Sequence, residues 1–355
     1  MNYFTLYQII YALAAKDGRG EALFGSCFPL SSEAFCHSTA GTEFPELWFE
    51  VPLLGDPWFD LHALTSQKDL DPNMSFTAET TGGYPQVFKW FAGAPNVRQL
   101  ALSYDVSSGD ISKPAVQLLL ATTSVETTCA FLEAAGRSDA VAAYQSFFNR
   151  LPGDWFACYS GTFPARPKLI QDGADSSEHL AEQDAKPWVR VECIPDRSTQ
   201  EAYAKDGALL ESHLRQVGLT NLGTTIIDRC QTLARTPFQL EFQFDVGPDG
   251  KAGTTLGVSV RFAEPSAHCD NWQSFEADGA AGELMNQVQA WGLCDERWRL
   301  LQDAAFSKRV SRNGKAMLAY CLPTFLKLRW RGGEPLDAKA YLIAGIQDVE
   351  LESAQ

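Results

Sequence analysis

The sequence predicts an α+β fold in which ten antiparallel strands close into a barrel with helices outside it. Three observations lead there. Segments in which apolar and polar residues alternate come in five successive pairs. Segments with apolar residues at helical spacing fall between those pairs. The polar face of the strands carries tryptophans, tyrosines and charges, with acids on the first two strands and bases concentrated on the last three. An open sheet with one wet face is the competing arrangement. Ten strands, if closed, make a barrel wide enough to hold a ligand.

Each element has its own signal. Helical spacing over Thr5–Ala15 opens the chain. The first hairpin pairs Glu46–Leu53 with Pro57–Leu64 across Gly55-Asp56. A short helix, Tyr84–Ala92, has Pro85 near its first turn, where a missing N–H is tolerated. The second hairpin joins Arg98–Val106 to Ala115–Thr122 through Ser107–Ser112. Ser124–Leu151 is helical with a break at Gly136. Trp155–Phe163 and Pro187–Ile194 form the third hairpin around an exposed polar loop, Gln171–Lys186.

Ser198–Val217 follows as a helix with Ser198 as N-cap and Gln200 and Glu201 in the first turn, close to a capping box. Thr224–Ala234 is a further helix. The fourth hairpin, Phe238–Val246 with Thr254–Phe262, turns at Gly247-Pro248-Asp249-Gly250. Helices Trp272–Trp291 and Asp295–Phe306 precede the fifth, in which Gly332-Gly333-Glu334-Pro335 joins Phe325–Arg331 to Ala338–Ile346. The order is αββα five times, without a dividing linker, so residues 1–355 are expected to form one domain.

Composition narrows the function. The chain has 44 Asp+Glu against 29 Lys+Arg, a formal charge of −15. Nucleic acid and anionic membranes need a basic face, so neither is expected as a partner. No stretch approaches the ~18 apolar residues of a membrane span, and the start lacks the features of a signal peptide. Nine scattered cysteines without a C-x-x-C fit reduced thiols in a cytoplasmic protein. Cys36-His37, with Cys27 upstream, lacks a matching second pair, and no metal centre is expected. No G-x-S-x-G, P-loop or dinucleotide fingerprint stands in a strand–turn–helix setting. His213 reads as a packed or exposed helix residue.

Side chains on alternate strand positions point to opposite faces. On the polar face the first two strands place Glu46, Trp48, Glu50, Trp58, Asp60 and His62. The second hairpin offers Ser103, Asp105 and Gln117. Trp188, Arg190, Glu192, Glu241, Asp245 and Arg261 follow, and the last hairpin adds Phe325, Lys327, Arg329, Lys339, Tyr341 and Ile343. Asp60 and His62 suit either a proton relay or a hydrogen-bonded pair at the barrel mouth.

Five αββα units around a polar, aromatic-rich lumen resemble the ABBA-type prenyltransferase barrel (the PT barrel), and the cyanobactin peptide prenyltransferases are the nearest members in size and in the acidic first strand. The resemblance covers most of the chain as element order. It implies transfer of an isoprenyl group, dimethylallyl or geranyl, from its diphosphate to a peptide side chain (Arg, Trp or Tyr) or a small aromatic acceptor. No cofactor is implied, and Mg is not strictly required. The positions matching the family's diphosphate grip are Arg190, Arg261, Lys327, Arg329 and Lys339, with Tyr159 and Tyr341 beside them. Glu50 matches the acid that orients or deprotonates the acceptor, with Glu46, Trp48, Asp60 and His62 around it, and Trp58 and Trp188 would shield the carbocation. Where the family often has bases, the second hairpin has Ser103, Asp105 and Gln117. The alternative is a non-catalytic barrel that binds a peptide or small ligand as an accessory protein in ribosomal-peptide maturation.

Overall fold

The apolar alternates of the strands need a covering layer, and the helices between the hairpins supply it. A computed structural model describes residues 19–25, 46–70, 75–78, 81–104, 114–162, 189–220, 222–262, 279–312 and 315–348. The predicted helix Thr5–Ala15, Cys27, Cys36-His37, Asp105, the turn Ser107–Ser112, the loop Gln171–Lys186, Trp188 and the start of the helix predicted from Trp272 lie outside them.

The described strands are β1 Glu46–Pro52, β2 Asp60–Thr65, β3 Val97–Tyr104, β4 Ala115–Leu120, β5 Trp155–Thr162, β6 Val189–Pro195, β7 Gln239–Val246, β8 Ala252–Arg261, β9 Phe306–Arg312, β10 Lys315–Arg331 and β11 Glu334–Asp348. Antiparallel neighbours follow the chain from β1 to β8. β10 then joins β8 to β11, and β11 returns to β1, which closes a barrel of ten strands. β9 stands outside this ring, paired with the first part of β10.

The helices are α1 Arg19–Phe24, α2 Pro85–Phe91, α3 Val125–Ala134, α4 Val141–Phe148, α5 Arg197–Tyr203, α6 Gly207–Gln216, α7 Thr224–Ala234, α8 Ala280–Ala290 and α9 Leu300–Ala304. Their apolar stripes and the apolar strand faces form one core. Leu240, Phe242, Phe244 and Val246 of β7 are fully buried in it, each worth about 1.5–3 kcal/mol of burial. Phe147 of α4 meets Phe244 at 5.6 Å, and Trp155 stacks on Phe242 at 5.0 Å. Trp155 Nε1 donates to the Tyr203 hydroxyl at 2.8 Å, which lies 2.6 Å from His213 Nδ1. His213 is therefore a hydrogen-bonded member of the core's edge.

Four expectations are corrected. Gly136, at φ 72°, ends α3, but Ser198–Val217 is two helices instead of one. Asp196, not Ser198, caps the first by accepting from Thr199 N at 2.7 Å. Asp206 caps the second, accepting from Ala208 N at 2.9 Å and Leu209 N at 3.2 Å. Replacing Asp206 by alanine is expected to cost about 1 kcal/mol, read from the midpoint of urea unfolding.

The segment predicted as a helix over Asp295–Phe306 is a 3₁₀ turn, Glu296–Arg299, followed by α9, and Phe306 already belongs to β9. The ninth predicted strand starts ten residues earlier than Phe325, at Lys315. Helix and strand patterns are ambiguous over such short apolar runs.

Candidate functional site

Glu50 of β1 lies between β2 and β11, because β1 pairs with both. It is opposite Asp60 on β2 and Tyr341 on β11. Its Oε1 lies 2.7 Å from Lys339 Nζ. Its Oε2 accepts from the Tyr341 hydroxyl at 2.5 Å and meets His62 Nε2 at 3.2 Å. The other imidazole nitrogen, Nδ1, is 2.6 Å from Ser103 Oγ. Burial acts to raise the Glu50 carboxyl, but Lys339, His62 and Lys327 outweigh it and hold it well below the usual range. Burial, reinforced by Glu50, pushes the Tyr341 phenol well up, so it stays a donor.

His62 thus turns to Glu50 and Ser103 instead of forming the pair expected with Asp60. Asp60 Oδ2 lies 3.9 Å from Lys339 Nζ. The same ammonium stands 4.6 Å from the Trp58 ring centroid, so that ring face already holds a cation of the protein.

Every cation assigned to the diphosphate grip has a carboxylate beside it. Arg190 forks onto Asp245, at 2.6 and 3.1 Å. Arg261 bonds Glu241 and lies 5.0 Å from the Phe325 ring centroid. Arg329 bonds Asp337, with Nε to Oδ1 at 2.6 Å. Lys327 Nζ is 3.4 Å from the Tyr341 hydroxyl and 4.0 Å from Glu192 Oε1.

For this last pair burial exceeds mutual attraction, since Glu192 is pushed up to about 7 and Lys327 down to about 8. Glu192 also accepts from Gln243. The Asp245 carboxyl is held below its usual range, because Arg190 outweighs burial.

Arg190–Asp245, Arg261–Glu241 and Arg329–Asp337 each join adjacent strands, and the Lys339–Glu50 pair is the one that closure makes. Acids early in the chain and bases late in it were expected on opposite sides of the lumen. Joining β11 to β1 makes Lys339 and Glu50 neighbours, so the charges mix around the circumference.

Sorting runs instead along the axis. Down β10 and β11 the lumen positions pass from Arg329 and Asp337, through Lys327 and Lys339, to Phe325 and Tyr341, and on to Leu322, Ile343 and Tyr320. Tyr320, Leu322, Phe325, Tyr341 and Ile343 form a second buried apolar cluster with Trp48 and Ala305 against it. Trp48 meets Phe325 at 5.4 Å between ring centroids, and its Nε1 donates to Glu46 Oε1 at 2.6 Å. Burial pushes Glu46 up to about 7. Gly345 has no side chain because the Tyr320 hydroxyl occupies the place a methyl group would take.

Tyr159 reaches this face through a bulge. Ala157 pairs with Cys193 and Tyr159 with Glu192, so Cys158 is an extra residue in β5. Without it Tyr159 would share the outer face of Trp155.

The closed barrel brings together Glu46, Trp48, Glu50, Trp58, Asp60, His62, Tyr159, Arg190, Arg261, Lys327, Arg329, Lys339 and Tyr341, while Trp188 lies outside the described residues. Sequence reasoning missed Asp337 as a lumen acid, because the stretch before Ala338 reads as a turn. It missed the apolar cluster too, although Phe325 and Ile343 stand on the polar face by alternation. No protein-family model matches the chain, and no curated protein matches it either. Among the described residues no group of three His, Cys, Asp or Glu is placed to hold a metal ion, and no helix is long and apolar enough to cross a membrane.

Proposed function

We propose that residues 1–355 form a single cytoplasmic barrel of five αββα units of the prenyltransferase kind, and that it moves an isoprenyl group from its diphosphate to a peptide side chain or small aromatic acceptor. The observation that supports this reading is the axial division of the lumen. A belt of cations and phenols, Lys327, Lys339, Tyr159 and Tyr341, meets an apolar cluster around Phe325. A ligand with a charged head and a hydrocarbon tail suits that division. The cations would stabilise the charge that grows on the leaving diphosphate as the allylic C–O bond breaks. Glu50, ionised and reached by His62, would orient the acceptor and take its proton.

Mass spectrometry after incubation with dimethylallyl or geranyl diphosphate and candidate peptides tests the reading. A gain of one C5 or C10 unit is expected. Glu50→Gln should slow the transfer roughly 10²–10⁴-fold, and Lys327→Ala with Arg329→Ala should abolish diphosphate binding. Unchanged turnover in the double variant would remove the site assignment.

A second reading is favoured by the pairing of each lumen cation with a carboxylate. A diphosphate entering that belt must compete with Asp245, Glu241, Asp337, Glu192 and Glu50. A non-catalytic barrel that holds a peptide or small ligand carries no such cost. Calorimetry that finds peptide binding without prenyl diphosphate binding would decide for it.

A further inference from the structure

We propose that the arm formed by β9 and the start of β10 is a docking edge for an extended acidic peptide, which adds as a further strand alongside β9. The inference goes beyond the lumen and does not depend on its chemistry. Between Asp303 and Glu334 the chain has seven lysines and arginines and no acid, in a protein with 44 acids against 29 bases. Four of the seven, Lys308, Arg309, Arg312 and Lys315, fall on this arm. Arg312 and Lys315 are register partners. Pairing within the arm gains nothing from like charges at opposed register positions.

The backbone points to the kind of partner. Among the described residues β9 pairs with β10 alone, and no described strand takes up its outer row of N–H and C=O groups. Arg309 is exposed and has no ion-pair partner among those residues, whereas each lumen cation has one. A protective charge is a common way to blunt an edge strand. Four cations within eight residues, two of them register partners, exceed that need. Strand addition supplies main-chain hydrogen bonds for affinity, and alternating acidic side chains on the incoming strand supply the charge match.

Fluorescence anisotropy on the full chain tests this with a short labelled peptide of alternating Glu and Val. The acidic peptide is expected to bind, to weaken with salt, and to lose about tenfold or more in affinity when Arg309→Glu and Arg312→Glu are combined. The Lys/Val peptide should not bind. N-methylation of alternate residues along one edge of the acidic peptide should abolish binding, while methylation along the other edge should leave it intact. This comparison needs no protein variant, so a folding defect cannot mimic it. Equal binding of both methylated peptides would show charge attraction without a strand and overturn the proposal, as would no binding of the acidic peptide. Binding that emerges only after deletion of residues 349–355 would assign the edge to the chain's own acidic end instead.

Discussion

Replacing Glu50 by alanine is expected to destabilise the barrel by about 3–5 kcal/mol, because it takes the nearest counter-charge from a buried cation. Lys339 is 5% exposed, and Glu50 is its nearest counter-charge at 2.7 Å. Asp60 Oδ2, at 3.9 Å, would be left as its more distant counter-charge. Tyr341 and His62 would lose their common acceptor as well. Urea unfolding of the single variant measures the loss.

The double variant Glu50→Leu with Lys339→Met identifies the cause, since apolar replacement of both members of a buried pair is often neutral or better. Much of the stability should return. A double variant no more stable than the single one would show that the loss comes from packing instead of the ammonium's lost counter-charge.

The second large effect concerns pH. Burial raises the Glu46 carboxyl in the folded chain from the ordinary 4.5 to about 7. Between those values the folded protein holds a proton that the unfolded chain has released, so stability falls as pH rises. The favourable contribution is fully present below about 4.5 and lost above about 7, a difference of about 3 kcal/mol at 1.36 kcal/mol per pH unit. Glu192 acts in the same direction. Glu50 and Asp245, held below their usual range, act oppositely but at lower pH.

Urea midpoints at pH 5 and pH 8 should therefore differ, with the protein stronger at pH 5. Glu46→Gln keeps an acceptor for Trp48 and should remove about 2.5 kcal/mol of that difference. An unchanged slope in the variant would place the dependence elsewhere.

Most of the fold was legible because the strand signal has a short period. The ten expected strands all exist, most with bounds within two or three residues, and alternation correctly placed Glu50, Asp60, Arg190 and Lys339 on one face. What alternation cannot supply is the partner across a long-range closure. Acids on β1 and bases on β11 lie at opposite ends of the sequence, and only the β1–β11 register turns them into ion pairs. The bulge at Cys158 was equally hidden, because an extra residue reverses the alternation without altering composition. β9 was missed where a short apolar run after α9 reads equally as the end of a helix.

The pairing of β1 with β11 has a consequence for how the chain is made. Glu46 meets Gly345, so β1 waits for a strand about 300 residues further along before the ring can close. Contacts of such sequence separation are slow to form. Until β11 is synthesised and paired, both β1 and β10 present open edges to other chains. A product truncated before β11 would keep those edges for its lifetime, joining the hazards of incomplete synthesis to those of aggregation. Closure therefore ties the two strands together: only a chain that carries β11 can hide β1.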